Sequence, residues 1–331
     1  MASLKKFLVF CILILLALSA AGVWWFTNWM DAPIRHDKQI EFTIKSGSNI
    51  RSASRQLVDA GVPIHPYLFE ILARVTGKAA SLKAGSFELQ LQETPQQLLQ
   101  KMVEGKFSLT SLSIIEGWSF KQMRSAIDAH PAIRHDTTGL SDRDLLIKIG
   151  SKYTHPEGLF FPDTYLFAKN SSDVQVYQQA HQAMLTRLDE AWRKRAQNLP
   201  YKDAYQALVM ASIIEKETGQ ASERGMIASV FVNRLRSGML LQTDPTVIYG
   251  MGDRFQGNIR KRDLTTDTPY NTYTRAGLPP TPIALPGLDA IRAALNPEPS
   301  NAYYFVARGN GTSQFSENLN EHNRAVNKYQ R

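Results

Sequence analysis

ALVMASIIEKETG, residues 207–219, is an almost uninterrupted apolar run that ends in two glutamates. Such a run predicts a buried helix, because a helix without a polar face is normally covered by other parts of the protein. A carboxylate at the end of a buried helix costs free energy unless it is paired or used. The pair Glu215 and Glu217 is therefore the first candidate for chemistry in this chain.

Helical geometry separates the two carboxylates. Glu217 falls on the stripe of Met210 and Ile213, whereas Glu215 falls almost opposite, on the stripe of Leu208. They cannot face each other across one bond, as the two acting carboxylates of a glycosidase must. If one of them is catalytic, we expect the other to orient it or to pair elsewhere.

The predicted helix end favours Glu217 as the acid. Gly219 predicts a C-cap, which places Glu217 in the last turn, where the helix dipole opposes a negative charge. Apolar neighbours act in the same direction, so the pKa of Glu217 should be raised, as a general acid requires. The alternative is a structural acid that pairs with Lys216, Arg224 or another cation.

The N-terminus of the 331-residue chain predicts a membrane anchor. The run Phe7–Phe26 carries no charge, and as a helix it would span about 30 Å, the thickness of a hydrocarbon core. Lys5 and Lys6 before it favour a cytoplasmic N-terminus, with the rest of the chain extracytoplasmic. A cleaved signal peptide is the alternative, because Ser19-Ala20-Ala21 fits a cleavage site.

Composition limits the partners. The net charge of +8 suits either anionic lipid or an anionic polymer. No nucleic-acid-binding motif occurs, and a cell-wall glycan that bears peptide carboxylates fits an extracytoplasmic chain better. The sequence has a single cysteine, Cys11, and lacks metal-binding, phosphate-binding and serine-nucleophile motifs, so we expect no metal and no cofactor.

The order of predicted strands and helices indicates an α+β chain with a small module and a larger mixed α/β catalytic domain after the anchor. The expected divisions are a cytoplasmic N-terminus at 1–6, an anchor at 7–26, a polar stalk at 27–39, a small α+β module at 40–115, a connecting part at 116–200 and a catalytic core at 201–331.

Several motifs in the C-terminal part carry polar groups suited to sugars. Aromatic rings cover sugar C–H faces and amides reach hydroxyls, so the segment YNTY, 270–273, fits a glycan site, although it could equally pack its loop. Asp244 before a proline could orient a substrate hydroxyl or simply cap a turn. His322 on the last predicted helix is more often structural than catalytic.

Six motifs in the C-terminal part carry a joint signal: ASIIEKET (211–218), ASVFVNRL (228–235), LQTDPT (241–246), YNTY (270–273), GLPP (277–280) and EHN (321–323). Together they resemble the MltG (YceG-like) endolytic murein transglycosylases. This resemblance implies internal cleavage of peptidoglycan glycan strands with a 1,6-anhydro-muramyl product, beside peptidoglycan synthases, and a LysM-like module at 40–115. It also implies that Glu217 is the catalytic acid.

The implied reaction requires one carboxyl group. Glu217 would protonate the oxygen between MurNAc and GlcNAc, the muramyl C6 hydroxyl would attack C1, and Glu217 would take that proton. We expect the residues that line the site to be Gln242, Thr243, Asp244, Asn271 and Tyr273. Supporting or structural roles are expected for Glu215, Asn233, Glu321, His322 and Asn323.

The chain departs from the family pattern at a few positions. Ser313 stands where the family often has a histidine, Glu317 and Asn318 follow Phe315 without the usual threonine, and Leu285 replaces an asparagine in the proline loop. Two other functions remain open: a muramidase that uses water with Asp244 or Glu215 as partner, and a peptidoglycan-binding scaffold without activity.

Overall fold

The apolar run at the N-terminus belongs to one long helix, α1 (Ala2–Asp31), in the computed structural model, which describes residues 2–330. Leu4–Asp31 is long and apolar enough to cross a membrane. A signal sequence can have the same length and composition, so anchoring stays a prediction.

Helix α1 continues beyond the predicted anchor into the first folded unit. Phe26, Trp29 and Met30 pack against the core of this unit, in which Ile34 is buried. The backbone amide of Ile34 donates to the carbonyl of Glu93 at 2.8 Å. The predicted polar stalk at 27–39 is therefore wrong in its first part, because apolar side chains at the helix end are covered by the unit that follows.

The first unit comprises residues 2–110 and 166–171. Its strands pair antiparallel, with Ile40 opposite Leu89 and Ile44 opposite Gly85. Asn49 caps one helix and Thr94 forms a capping box with Gln97. After α1 its elements are β1 (Ile40–Ile44), α2 (Ile50–Asp59), α3 (Pro66–Val75), β2 (Gly85–Leu89) and α4 (Pro95–Glu104).

The second unit comprises residues 111–165 and 172–330, so it holds most of the predicted connecting part as well as the predicted catalytic core. The mixed α+β class is confirmed, whereas the LysM-like assignment of the module stays a prediction. The elements from residue 109 onward are β3 (Leu109–Ser113), α5 (Phe120–Asp128), β4 (Ile133–Arg134), α6 (Asp142–Lys148), β5 (Thr164–Ala168), β6 (Ser171–Ser172), α7 (Asp173–Arg193), α8 (Ala204–Glu217), α9 (Arg224–Arg236), α10 (Asp244–Met251), α11 (Lys261–Thr265), α12 (Leu288–Leu295), β7 (Tyr304–Ala307), β8 (Ser313–Ser316) and α13 (Leu319–Tyr329).

Helix α8 is the centre of the second unit. Every residue from Ala207 to Ile214 is buried, and the helix packs against α7, α9, α10 and α12. The hydroxyl of Ser212 accepts a hydrogen bond from the backbone amide of Ile283 at 3.0 Å and donates to the carbonyl of Val209. The prediction of a buried helix is confirmed, and the helix is tied to the proline-rich loop.

The end of α8 differs from the expected one. Thr218 is extended, with φ −145° and ψ 134°, and it follows Glu217 directly. Gly219 does not adopt the left-handed conformation that a glycine cap uses. The prediction of a Gly219 cap is therefore wrong, because the chain leaves the helix through an extended residue.

Candidate active site

Glu217, the last residue of α8, lines a groove with a volume of about 630 Å³. The groove is lined by residues from the start of α10, the loop before α12, β7 and α13. Its polar lining consists of Glu217, Arg234, Gln242, Asp244, Tyr273, Tyr304, His322 and Gln330.

Thr243 holds the carboxyl group of Glu217. Its hydroxyl donates a hydrogen bond to Oε1 of Glu217. Thr243 is 2% exposed and does not line the groove, so the expectation of a direct substrate contact is corrected: this residue touches the acid. Its backbone amide donates to the hydroxyl of Thr272 at 3.1 Å, and its carbonyl accepts from Thr246 at 2.8 Å.

The surroundings of Glu217 favour its neutral form. Burial raises the pKa of Glu217, and the negative charge of Asp244 raises this pKa further. The hydrogen bond from Thr243 and the positive charge of Arg234 act against this rise. The sequence analysis predicts the same raised pKa for Glu217. Burial, rather than the helix dipole, is the main cause.

Asp244 and Tyr273 form a pair in the groove. The hydroxyl of Tyr273 donates to Oδ1 of Asp244 at 2.6 Å. Burial raises the pKa of Tyr273, and the hydrogen bond to Asp244 and its charge raise it further, so the phenol stays protonated. Asp244 begins α10, and Gln242 precedes it in a left-handed conformation with φ 51°. The structure thus brings Gln242, Asp244 and Tyr273 to one groove with Glu217.

Asn271 does not line the groove, which corrects its expected role. It is 1% exposed, and its side-chain amide donates to the carbonyls of Asp263, Leu264 and Thr266 at 3.2, 3.1 and 2.7 Å. Its Oδ1 accepts from the backbone amide of Tyr273 at 2.9 Å. Both ends of the side-chain amide are hydrogen-bonded to nearby backbone groups. One of these bonds goes to the backbone amide of Tyr273, so Asn271 positions Tyr273.

Glu215 lies on the other side of α8, as the helical geometry predicts. Its Oε2 accepts from the backbone amide of Gly287 at 2.9 Å, and Oε1 lies 4.0 Å from the guanidinium of Arg224. Burial raises the pKa of Glu215, and the charge of Glu116 raises it further. Glu215 therefore ties α8 to the start of α12 and is absent from the groove lining.

The expected supporting residues Asn233 and Glu321 make hydrogen bonds to neighbouring segments and do not line the groove. Asn233 donates to the carbonyls of Ser300 and Ala302 at 2.8 and 3.1 Å. Glu321 accepts from the backbone amide of Glu317 and the side chain of Asn318, at 3.2 and 2.9 Å.

His322 and Asn323 lie on the same helix, α13, but on different surfaces. His322 lines the groove and stacks on Tyr304, with ring centroids 5.1 Å apart. Burial lowers the pKa of His322, and the positive charge of Arg234 lowers it further, so its neutral form is favoured. Asn323 is exposed and does not line the groove.

Arg234 is a groove residue that the sequence reasoning missed. It is 8% exposed, and its guanidinium donates to the carbonyls of Tyr303 and Leu241 at 2.7 and 2.8 Å. Its Cζ lies 5.2 Å from the ring centre of Tyr304. An arginine within the apolar run of α9 is costly unless it is satisfied, and this signal could have identified it.

The departures from the family pattern have structural partners. The backbone amide and hydroxyl of Ser313 donate to Glu223 at 2.6 and 2.8 Å, which ties β8 to the turn before α9. Leu285 is fully buried, and its backbone exchanges hydrogen bonds with Gly117 and Trp118. Both positions therefore act in packing and loop attachment.

Comparison with known proteins gives consistent matches over most of the chain. A family model described as the YceG-like family matches residues 42–328. The endolytic murein transglycosylase of Bacillus subtilis (strain 168) is 29% identical, over 90% of this chain and 87% of that protein. The endolytic murein transglycosylase of Streptococcus pneumoniae serotype 2 (strain D39) is 28% identical over 97% of this chain, which spans 65% of that longer protein.

A solved structure matches the fold as well. The crystal structure of a yceG-like protein from Listeria monocytogenes shares 33% sequence identity and a TM-score of 0.54, over 86% of this chain and 98% of that one.

Proposed function

This chain belongs to the YceG-like family, and on that premise we propose that it is a membrane-anchored lytic transglycosylase that cleaves peptidoglycan glycan strands internally. The observation that carries the proposal is the placement of Glu217. It is an acid with a raised pKa, held by a hydroxyl on one oxygen, at the wall of an open groove. The relatives named endolytic murein transglycosylase supply the substrate class.

The reaction proceeds with a single carboxyl group. Neutral Glu217 gives its proton to the oxygen between MurNAc and GlcNAc, and the bond from C1 of MurNAc to that oxygen breaks. The C6 hydroxyl of the same MurNAc then bonds to C1, and its proton passes to the Glu217 carboxylate, which restores the acid. Because the nucleophile belongs to the substrate, no second carboxylate has to activate water.

The neighbours of Glu217 fit both halves of this cycle. Thr243 donates to Oε1, which leaves Oε2 to carry the proton that is transferred. Arg234 stabilises the carboxylate that exists after the first transfer, since its charge favours ionised Glu217. Asp244 and Tyr273, joined by their hydrogen bond, present polar atoms to the glycan.

A matched pair of variants tests the role of Glu217. Wild type, Glu217→Gln and Glu215→Gln are incubated with purified uncrosslinked glycan strands, and product masses are recorded. We expect 1,6-anhydro ends, one water lighter than reducing ends, from wild type and Glu215→Gln, and no cleavage by Glu217→Gln. Equal cleavage by Glu217→Gln and wild type would rule out Glu217 as the acid, whereas no cleavage by any of the three proteins would favour a scaffold.

A water-using muramidase is the second candidate, and Asp244 is the observation that favours it. It is a second carboxylate in the groove, close enough to Glu217 to raise its pKa. The same mass spectra separate the two reactions, because water attack gives reducing ends only. In that case Asp244→Asn should abolish cleavage, whereas the lytic mechanism predicts residual anhydro product.

We also propose the predicted location: N-terminus in the cytoplasm, α1 across the inner membrane, and both folded units outside. The apolar Leu4–Asp31 segment supports this arrangement, and the first unit would act as the LysM-like module that positions the enzyme on nascent strands beside a synthase. The mass of protein purified from membranes provides a test. Loss of residues up to the small-residue site near Ala21 would indicate a signal peptide.

A further inference from the structure

We propose that the first unit rests directly on the bilayer surface, and that the turn at residues 90–93 contacts lipid head groups through Leu91. This inference rests on the proposed anchoring by α1. It adds a lipid-contacting surface on the folded part of the chain, outside the spanning helix.

The length of α1 sets the depth of its last residues. The uncharged run ends at Phe26, and a 20-residue helix spans about 30 Å, the hydrocarbon thickness. Trp29 and Met30 lie three and four residues further on, which adds about 5 Å, within the head-group layer of roughly 5–7 Å per side. Both side chains pack against the core of the first unit. Part of that core is therefore held at head-group depth.

Two hydrogen bonds identify the part of the unit that lies nearest to the helix end. Directly after α1, the backbone amide of Ile34 donates to the carbonyl of Glu93 at 2.8 Å. The ring of His36 bonds to the carbonyl of Gln90 through Nε2 at 3.1 Å. These bonds join both ends of the 90–93 turn to the segment that leaves the bilayer. Helix α4, which begins just after the turn, also packs against α1.

Leu91 lies within this turn and is 56% exposed. A single exposed leucine is ordinary on a protein surface. Leu91, however, lies beside the end of an apolar helix. The lipid head-group layer is therefore its partner, because that layer accepts apolar side chains. Arg35 and Lys38 are exposed in the same segment, but Asp31 and Asp37 offset their charge. We therefore assign the contact to the apolar side chain of Leu91.

Site-specific labelling tests the contact in the full-length protein. Cys11 is the only cysteine, so a Cys11→Ala background allows one label at a chosen position. Leu91→Cys is compared with Val58→Cys, an exposed aliphatic position on α2 with 42% exposure. Both carry an environment-sensitive fluorophore in vesicles of phosphatidylethanolamine and phosphatidylglycerol, with or without lipid brominated near the head group.

We expect a blue-shifted emission and at least threefold stronger bromine quenching at position 91 than at position 58. Equal, water-like emission at both positions in protein that floats with the vesicles would overturn the surface contact and leave the anchor intact. Protein that does not float would overturn the anchor and this inference together. Neither position lies in the groove, so both variants should cleave soluble glycan strands at the wild-type rate.

Discussion

Thr243 gives Glu217 an asymmetry between its two carboxyl oxygens. The hydroxyl donates to Oε1, so the transferable proton belongs on Oε2, and the bond lowers the pKa that burial raises. Hydrogen bonds to charged groups contribute about 1.5–3 kcal/mol. The same bond therefore sets both the orientation of the acid and the pH range in which it works.

Thr243→Val keeps the shape of the side chain and removes this hydrogen bond. We expect kcat to fall about 10- to 100-fold, as the loss of one such bond implies. The pKa of Glu217 should rise, so the basic limb of the kcat profile, where the acid loses its proton, should move to higher pH. Thr243→Ser retains the hydroxyl and should keep the wild-type profile. The measurement is kcat against pH on uncrosslinked strands.

A purely structural role for Thr243 would give a different result. Thr243→Val would then lower the free energy of unfolding and leave the pH limb in place. Thr243→Ser would lose only a buried methyl group, and it would likewise leave the pH limb in place.

The sequence predicted which residue would have a raised pKa, but not how its neighbours would be used. Glu217 could be singled out because its position on the helix face follows from the 3.6-residue period. Thr243 and Asn271 were expected to touch substrate, and the structure buries both. Whether a side chain in a loop faces a groove or its own backbone depends on tertiary packing, which local patterns do not contain.

At the scale of elements, the conformation of the loop between α11 and α12 depends on one side-chain amide, that of Asn271. Asn271 donates hydrogen bonds to three backbone carbonyls and accepts one from the backbone amide of Tyr273. An unsatisfied buried polar group costs about 1–3 kcal/mol. The position of Tyr273 in the groove therefore depends on a side chain that the glycan does not contact.

Asn271→Ala should lower the free energy of unfolding by about 2–4 kcal/mol, because several buried groups lose their partner. It should also lower kcat by displacing Tyr273. Urea unfolding in mild detergent measures the first effect and glycan cleavage the second. Asn271→Asp keeps the acceptor for Tyr273 but loses the donors, so it should be destabilised with a smaller loss of kcat. A raised KM with unchanged stability would restore the substrate-contact role.

Local sequence patterns specify long elements better than short ones. The extended amphipathic pattern of α7 and the caps at Asn49 and Thr94 follow from local chemistry. The pair Asp244-Pro245 is typical of a turn, yet it begins α10, because a proline in the first helical turn is favourable. Helix α6 covers only seven residues, too few for a periodic pattern to stand out.

At the scale of the whole molecule, one buried acid links stability to pH. Glu157 is 3% exposed and accepts from the backbone amide of Phe120 at 2.9 Å and the hydroxyl of Tyr249 at 3.1 Å. Burial raises its pKa from 4.5 to about 7. Between these two values the folded chain holds a proton that the unfolded chain has lost. Stability should therefore fall as pH rises through this window.

Glu157→Gln removes this titration while keeping an acceptor for Phe120. The measured quantity is the free energy of unfolding of the variant minus that of wild type. We expect this difference to increase by up to about 3 kcal/mol from pH 5 to pH 8, since one pKa unit corresponds to about 1.4 kcal/mol. Urea unfolding at both pH values measures the difference. The other buried glutamates titrate in both proteins and cancel. A difference that does not change with pH would contradict the raised pKa.

The division of the whole chain was only partly readable from sequence. The apolar run and the α+β pattern of the module were visible. The extension of α1 into the module was not, because Trp29 and Met30 fit a membrane interface as well as a protein core. Such side chains can be assigned only when the surface that covers them is known.

If α1 spans a bilayer, as we propose, its continuity with the first unit couples the tilt of the helix to the orientation of that unit. An apolar helix in a thinner bilayer tilts to keep its side chains covered. A flexible stalk would absorb that rotation, but Trp29, Met30 and Ile34 are packed into the unit itself. Under the proposed anchoring, the tilt of α1 would therefore be passed on to the first unit, whose orientation would follow bilayer thickness.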